Sequence, residues 1–176
     1  MKKEKGFVLW FTGLSQSGKT TTADAVYNKL KEKGFLVERL DGDAVRQHLT
    51  SDLGFSKEDR IENIKRVAFL AKLLSRNGIM VIASFITPYE EQRRMLREEI
   101  DNYIEVFCSC PIEVCEKRDK KGLYKKARSG EVENFTGISD LYDLPDNADI
   151  VLNTNDDKVE DNIFLIASYL EKKKMI

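Results

Sequence analysis

The fold of this 176-residue chain is decided by one stretch, Gly13-Leu14-Ser15-Gln16-Ser17-Gly18-Lys19-Thr20. An apolar run typical of a strand precedes it, from Phe7 to Thr12, and a run typical of a helix begins at Lys19. The two glycines allow backbone turns that a side chain would obstruct, so successive N–H groups can point into one concavity. The helix that follows adds the positive end of its dipole. This pattern in this setting is that of the phosphate-binding P-loop.

The loop also predicts which atoms hold the phosphates. We expect Lys19 at the protein surface, where its ammonium group reaches the β- and γ-phosphates, and we expect the Thr20 hydroxyl to bind a Mg²⁺ ion that bridges them. The alternative, an ordinary glycine-rich turn, is disfavoured by the flanking strand and helix. The chain is therefore predicted to bind ATP or GTP through Gly13, Leu14, Ser15, Gln16, Ser17, Gly18, Lys19, Thr20 and Thr21.

Composition limits the other classes of function. With 41% hydrophobic residues the chain can form the core of one compact domain over residues 1–176. A net charge of −1 provides no general attraction to nucleic acid or to an anionic membrane. No signal-like segment follows the first five residues, and no apolar run approaches the roughly 20 residues that span a bilayer. We expect a cytoplasmic protein without nucleic-acid or membrane partners.

Two residue types that often mark sites are predicted to be structural here. Cys108, Cys110 and Cys115 surround one predicted strand, and His48 is distant from them in the sequence. Three thiols and one distant imidazole make a poor tetrahedral metal site, so we expect the cysteines to pack in the interior. His48 is expected on a helix surface.

Short apolar runs alternate with longer charged segments along the chain. Near-continuous apolarity is typical of strands that are covered on both faces. The predicted fold class is therefore α/β, with a mainly parallel sheet between helices. The predicted strands are Phe7 to Thr12, Leu36 to Leu40, Ile79 to Phe85, Tyr103 to Cys110 and Ile150 to Asn153.

Capping signals locate several helices between these strands. Ser56 starts a capping box before an apolar repeat that ends near Gly78, and a second repeat runs from Val159 to Leu170. Pro88 and Pro111 are each expected in the first turn of a helix. The stretch from Asp119 to Pro145 is too polar and long for an ordinary connection, so we predict a mobile lid at residues 119–137.

Acidic residues follow the second predicted strand, at Asp41-Gly42-Asp43. Ligands of open α/β sheets bind outside the carboxyl ends of the strands, so one carboxylate can bind Mg²⁺ and the other the acceptor hydroxyl. The alternative is an Asp-Gly turn with solvated carboxylates. The third strand ends at Ser84-Phe85-Ile86-Thr87-Pro88 without an aspartate. This placement favours a small-molecule kinase over a motor or GTPase domain.

Longer motifs outside the P-loop carry a family resemblance. They are Asp41-Gly42-Asp43-Ala44-Val45-Arg46; Asp52-Leu53-Gly54-Phe55-Ser56 with Glu58-Asp59-Arg60-Ile61-Glu62-Asn63-Ile64; Ser84-Phe85-Ile86-Thr87-Pro88-Tyr89; Lys121-Gly122-Leu123-Tyr124-Lys125-Lys126-Ala127-Arg128; and Asn134-Phe135-Thr136-Gly137-Ile138. Together they span Gly6 to about Asn153, and they resemble the adenylylsulfate kinase family.

The resemblance implies a three-layer P-loop kinase fold and a homodimer. It also implies Mg²⁺-dependent transfer of the γ-phosphoryl group of ATP to the ribose 3′-hydroxyl of adenosine 5′-phosphosulfate, giving 3′-phosphoadenosine 5′-phosphosulfate. The implied catalytic residues are Asp43, Lys19 and Thr87, and the implied metal ligands are Thr20 and Asp41. The implied substrate-binding residues are Asp43, Arg46, Phe55, Arg60, Asn63, Ile86, Thr87, Lys121 and Phe135.

The chemistry of these residues fits such roles, although each has a simpler interpretation. Phe55 and Phe135 stand in polar, glycine-containing segments, where they can stack on a base or merely anchor a loop. Arg46, Arg60 and Lys121 can bind a phosphosulfate group or be solvated helix charges. In the family, the two phenylalanines sandwich the adenine of the acceptor.

The chain departs from the family pattern at two positions, where Thr87 replaces a frequent serine and Lys120 a frequent proline. Two rival functions remain open. One is a P-loop kinase for another small acceptor, and the other is a non-catalytic nucleotide-binding module. Phe55, Arg60 and Phe135 argue against the first, and the intact Lys19 and Asp43 against the second.

Overall fold

The computed structural model describes residues 6–176 and shows a parallel sheet between two layers of helices. The predicted α/β class is confirmed. In chain order the elements are β1 (Val8–Thr12), α1 (Lys19–Glu32), β2 (Val37–Asp41), α2 (Gly42–His48), α3 (Lys57–Ser75), β3 (Met80–Ser84), α4 (Glu90–Glu99), β4 (Tyr103–Ser109), α5 (Ile112–Arg118), α6 (Leu123–Arg128), β5 (Ile150–Asn153) and α7 (Val159–Lys172).

The strand order β2-β3-β1-β4-β5 places β1 at the centre of the sheet. Every strand pair is parallel, with Phe11 opposite Ser84 of β3 on one side and Val106 of β4 on the other. From β1 the chain passes first to the edge strand β2 and returns to β3 beside β1, and it then adds β4 and β5 on the other side. The P-loop therefore leaves β1 at the point where the strand order reverses, which is where open α/β sheets bind ligands.

Each face of the sheet has its own apolar core. Leu9 and Phe11 of β1 face α1 and α7, and Val8 and Trp10 face α3 and α4. All four side chains are inaccessible to solvent. This two-sided burial explains the continuous apolar runs in the strands and holds the carboxyl ends of five strands along one rigid edge.

Local details correct the predicted helix starts. The N-cap residue of α4 is Tyr89, and Pro88 precedes it. The backbone N–H of Tyr89 donates to Oε1 of Gln92 at 3.2 Å. Pro111 is itself the N-cap residue of α5. Neither proline is in the first helical turn as expected. The chain also enters α2 directly after Asp41, which is the N-cap of this helix, so the alternative of a simple Asp-Gly turn does not apply.

The predicted lid contains a helix, α6, which the polar composition concealed. Its Tyr124 is 2% exposed, and the Tyr124 hydroxyl donates to the carbonyl of Ser15 at 2.9 Å. Cys108 and Cys115 are buried and Cys110 is half-buried, as the sequence predicts, and His48 is exposed. Between residues 6 and 176, no helix has both the length and the apolar character to cross a bilayer.

Candidate active site

The P-loop follows β1 with the backbone that the glycines were expected to supply. Gly13 and Gly18 have φ angles of +147° and +88°, in a region that side chains disfavour. A Cβ atom on Gly13 would lie 2.6 Å from Oγ of Ser17 and 2.8 Å from the carbonyl oxygen of Cys108. Close approach of the loop to β4 therefore requires glycine at this position.

Lys19 lies inside this loop and not at the surface as expected, with 8% of its area exposed. Its Nζ donates to the carbonyl of Leu14 at 2.5 Å and to Oγ of Ser17 at 3.5 Å. Burial lowers its pKa to about 8. Burial also raises the pKa of the Cys108 and Cys115 thiols to about 12, so these neighbours are neutral at pH 7. Lys19 thus offers a desolvated cation to an anion in the loop.

Asp41 connects the P-loop to the end of β2. Its Oδ2 accepts from the Thr20 hydroxyl at 3.4 Å and from the Ser84 hydroxyl at 3.2 Å, and its Oδ1 accepts from the N–H of Asp43 at 3.0 Å. Arg39, which the sequence analysis did not select, lies 3.4 Å from Oδ2 of Asp41 through Nη2. Two oxygen atoms that could bind a cation, from Thr20 and Asp41, are thereby held side by side next to the P-loop.

A cleft of about 700 Å³ runs along this edge of the sheet. Most of the predicted site residues line it: Ser15, Gln16, Gly18, Lys19, Thr20, Thr21, Asp41, Asp43, Arg46, Phe55, Arg60, Asn63, Ile86 and Thr87. The other predicted residues of the P-loop, Gly13, Leu14 and Ser17, are not among the residues that line the cleft. The structure therefore brings predicted site residues from four separate segments into one cavity.

At the end of the cleft away from the loop, two arginines flank an exposed aromatic ring. Phe55 is 57% exposed, and the guanidinium carbons of Arg46 and Arg60 lie 4.4 Å and 5.5 Å from its ring centroid. Burial lowers the pKa of Arg46, and the positive charge of Arg60 lowers it further. Two cations held close together beside a planar ring form a site for an anion that carries an aromatic group.

Arg60 also joins this end of the cleft to the predicted lid. Its Nη2 donates to the carbonyl of Asn134 at 2.7 Å, and its Nε lies 3.5 Å from Oδ2 of Asp140. The hydroxyl of Tyr89 donates to the same carboxylate oxygen at 2.7 Å. The segment after α6 is therefore connected to both α3 and α4.

Asn63 and Thr87 are buried in the wall of the cleft. Oδ1 of Asn63 accepts from the Thr50 hydroxyl at 2.7 Å. The Thr87 hydroxyl oxygen accepts from Nε1 of Trp10 at 2.8 Å. The carbonyl of Ile86 accepts from the Thr12 hydroxyl at 2.6 Å, which joins this wall to β1.

Two predicted substrate residues lie outside the lining of the cleft. Phe135 packs edge-on against Tyr124, with 4.9 Å between ring centroids, and it is not among the residues that line the cleft. Lys121 is exposed, and its backbone N–H donates to Asp119 at 3.1 Å. Neither residue therefore forms part of the wall of the cleft in this structure.

The wall of the cleft beyond the P-loop was not predicted from the sequence. It follows β5, where the Thr154 hydroxyl donates to the carbonyl of Ser17 at 2.7 Å and the Thr154 carbonyl accepts from Arg118 at 2.8 Å. The rule that ligands bind at strand ends could have indicated Thr154, which directly follows the fifth strand. Further missed lining residues are Gln92, Arg118, Asp157, Lys158, Val159 and Asn162.

The buried Lys19 gives a testable pH dependence. Because its pKa in the folded protein, about 8, is below the value of 10.5 for an exposed lysine, the unfolded state binds more protons between these values and stability rises with pH there. Lys19→Met removes this penalty. We expect the ligand-free variant to be more stable than the unsubstituted protein at pH 7, by up to about 3 kcal/mol. The difference should decrease by pH 10 in denaturant titrations.

An equal effect of Lys19→Met at both pH values would contradict burial of a charged lysine. Lys65→Met is the matched control, because Lys65 is exposed on α3. This control should show no such trend.

Sequence comparisons agree with the geometry. The family model for adenylylsulphate kinase matches residues 5–153. An adenylyl-sulfate kinase of Halothermothrix orenii is 56% identical over 176 residues, which is 100% of this chain and 95% of the relative. A probable adenylyl-sulfate kinase of Pseudomonas aeruginosa is 57% identical over 93% of this chain and 76% of its own length.

Comparison with a solved structure indicates the same family. The APS kinase of Mycobacterium tuberculosis in complex with AMPPNP and APS superimposes with a TM-score of 0.90 and 44% identity, over 95% of this chain and 98% of that protein. The long sequence motifs, the residues of the cleft and both kinds of comparison all indicate the same family. The chain belongs to the adenylylsulfate kinase family.

Proposed function

We propose that this protein is an adenylyl-sulfate kinase, which transfers the γ-phosphoryl group of ATP to the 3′-hydroxyl of adenosine 5′-phosphosulfate. One observation carries the proposal: a phosphate loop and a two-arginine aromatic site open into the same cleft. Two anionic nucleotides can therefore bind end to end in one cavity. The APS kinase of M. tuberculosis is a relative solved with both kinds of ligand.

ATP is assigned to the half of the cleft formed by the P-loop, Arg118 and Thr154. The loop N–H groups and the Lys19 ammonium would bind the phosphates, and the ribose and base would lie beside the residues after β5, which line the same cleft. A phosphate here also compensates the buried charge of Lys19, which has no carboxylate ion pair between residues 6 and 176.

The donor set at Thr20 and Asp41 fits Mg²⁺. A hydroxyl oxygen and a carboxylate oxygen stand 3.4 Å apart beside the phosphate loop, and Mg²⁺ prefers such oxygen ligands together with water and phosphate oxygens. When bound, the ion would neutralise the charge that develops on the transferred phosphoryl group. Asp41 itself is held for this role by Ser84 and Arg39.

The acceptor is assigned to the half of the cleft around Phe55. We assign the adenine to stacking on Phe55 and the phosphosulfate to Arg46 and Arg60, whose guanidinium groups suit oxyanions. Phe135 and Lys121 would join this site when the segment 119–137 closes. Asn63 lines the same wall.

Asp43 lies between the two halves. Burial is the largest influence on the pKa of Lys19 and of Arg46, and it lowers both values. The negative charge of Asp43 acts in the opposite direction on both groups. We assign Asp43 to the acceptor 3′-hydroxyl. There it accepts the proton as the new O–P bond forms and the bond from the γ-phosphorus to ADP breaks.

The direct test is to incubate the protein with ATP, Mg²⁺ and adenosine 5′-phosphosulfate and to identify the products by mass. Equal amounts of ADP and 3′-phosphoadenosine 5′-phosphosulfate are expected. AMP in place of the acceptor is the matched control, because it has the same 3′-hydroxyl but lacks the sulfate. Faster turnover with AMP would favour a kinase for another acceptor, and no ADP with either would favour a non-catalytic module.

The homodimer implied by the family also stays a prediction. Sedimentation equilibrium tests it. A single species at the chain mass of 20.2 kDa would contradict it.

Substitution of Phe55 separates substrate binding from stability. Phe55→Ala should weaken acceptor binding by roughly 1 to 3 kcal/mol, because one stacking surface is lost, and leave ATP binding unchanged. Its melting temperature should hold, since the ring is exposed. Phe69→Ala is the matched control, because Phe69 is 67% exposed on α3 outside the cleft.

Phe135→Ala should weaken acceptor binding by a similar amount. It should also lower the stability of the protein, because the contact with Tyr124 is lost.

Equal weakening of both nucleotides by Phe55→Ala, or the same effect from Phe69→Ala, would contradict stacking at Phe55.

We expect transfer to pass directly from ATP to the acceptor and not through a phosphorylated Thr87. The Thr87 oxygen already accepts a hydrogen bond from Trp10, which fixes its position and occupies one of its lone pairs, so it is poorly placed for an in-line attack on ATP. Thr87→Ala should slow the enzyme but leave measurable activity, and Asp43→Ala should cost more. With ATP chiral at the γ-phosphorus, one displacement inverts configuration. Net retention would mean that a phosphoenzyme forms.

The segment 119–137 is proposed to close over both nucleotides. It already contacts the P-loop, through Tyr124 and through Gly137, which packs against Leu14. Its four lysines repel one another until anionic substrates arrive, whereas Arg128 is paired with Glu116. Trypsin cleavage at Lys120 to Arg128 should therefore slow when both ligands are present. Cleavage at Lys172 to Lys174 is the internal control, and an equal effect at both places would contradict the lid.

A further inference from the structure

The backbone at Thr87 is held in an unfavourable conformation. Its φ angle is +47°, in the left-handed region, although threonine is β-branched and Pro88 follows it. A β-branched residue rarely adopts this conformation, which costs on the order of 1 to 3 kcal/mol. Such a conformation persists only where surrounding contacts enforce it.

The first contact that enforces it comes from Trp10 on β1. Nε1 of Trp10 donates to the Thr87 hydroxyl oxygen at 2.8 Å, in a region that is closed to solvent. The indole ring is itself fixed, because it stacks on Phe85 with 5.1 Å between ring centroids. The position of the hydroxyl oxygen is therefore set from the centre of the sheet.

The second contact comes from Arg93 on α4. Nη1 of Arg93 donates to the Thr87 carbonyl at 3.1 Å, and the arginine side chain is 1% exposed. Its charge is balanced by Glu90, at 2.7 Å, and by the fully buried Glu105, at 3.7 Å. Burying such charges is costly, and a hydrophobic side chain in place of Arg93 could not hold the carbonyl.

These two contacts fix a wall of the acceptor half of the cleft. Ile86, Thr87 and Pro88 line the cavity, whereas Trp10 and Arg93 lie behind them. Because the Thr87 oxygen accepts from Trp10, its own proton must point elsewhere. Within residues 6–176 the hydroxyl makes no other hydrogen bond, so its proton is available to a group in the cleft.

We propose that Trp10 and Arg93 are positioning residues, which hold Thr87 so that its O–H group donates to the acceptor nucleotide. The identity of that nucleotide rests on the proposed function, but the arrangement of the three residues does not. Trp10 is the only tryptophan in the sequence, so its fluorescence reports on this hydrogen bond directly. The emission of an indole shifts to shorter wavelength when Nε1 loses a hydrogen-bond partner.

The optical experiment compares emission spectra of the ligand-free protein and three variants. Thr87→Val keeps the shape of the side chain but removes the oxygen, and should shift the emission to shorter wavelength. Thr87→Ser restores the hydroxyl and should restore the spectrum. Thr154→Val is the matched control, because it removes a buried hydroxyl from the ATP half of the same cleft and should leave the spectrum unchanged.

The kinetic experiment asks whether the hydrogen bonds serve the acceptor. Thr87→Val and Arg93→Lys should each raise KM for adenosine 5′-phosphosulfate about threefold to tenfold, the loss expected for one or two hydrogen bonds. KM for ATP should stay within about twofold. Thr87→Ser should recover the acceptor KM, and Thr154→Val should instead raise the KM for ATP.

An unchanged emission spectrum in Thr87→Val would overturn the assigned contact with Trp10. Equal increases in both KM values, or a normal acceptor KM in Arg93→Lys, would overturn the positioning role and leave only a structural one. If the unsubstituted protein makes no product from the acceptor, the proposed function fails, whereas the spectra of the three variants still test the arrangement.

Discussion

The buried ammonium group of Lys19 is the constraint on which the site depends. A cation that is 8% exposed, with only a carbonyl and a hydroxyl as hydrogen-bond partners, is costly in the ligand-free fold. The backbone of the P-loop enforces this position because Gly13 lets the loop approach β4 closely. The same desolvation makes the cation a strong partner for the phosphates of ATP. Burial of the Lys19 ammonium group thus lowers the stability of the ligand-free fold at the position proposed to bind the phosphates of ATP.

The acidic residues divide the rest of the cleft. Asp41 and Asp43 stand at the end of β2, between the cation of the P-loop and the arginines around Phe55. This alternation of charge lets two anionic nucleotides approach each other without direct repulsion between their phosphate groups. It is a local arrangement, because the net charge of the whole chain is only −1. The protein therefore selects anionic ligands by placement of charges and not by its overall field.

Rigid and movable parts of the site are held by different contacts. The wall at Thr87 is fixed from within the core by Trp10 and Arg93. The segment after α5 is held by a few contacts at the rim, through Tyr124 to the P-loop and through Asn134 to Arg60. Rim contacts of this kind can break and form again at small cost, whereas buried ones cannot. The groups proposed to react are thus positioned on the rigid parts, and the proposed closure would involve only the contacts at the rim.

The sequence by itself determined the sheet, the P-loop and the family. These follow from local patterns: continuous apolar runs for buried strands, glycines for the loop backbone, and long motifs for the resemblance, which the comparisons confirm. Most residues selected from strand ends and motifs do line the cleft.

Only the tertiary structure decided how these residues are buried and paired. Lys19 was expected at the surface, and the wall at Arg118 and Thr154 was not expected at all. The edge-on contact of Phe135 with Tyr124 was also not expected. Trp10 and Thr87 are 77 positions apart, and their hydrogen bond leaves no local pattern. The burial and the hydrogen-bond partners of a residue depend on which distant segments meet when the sheet assembles. The residues next to it in the sequence do not indicate which segments these are.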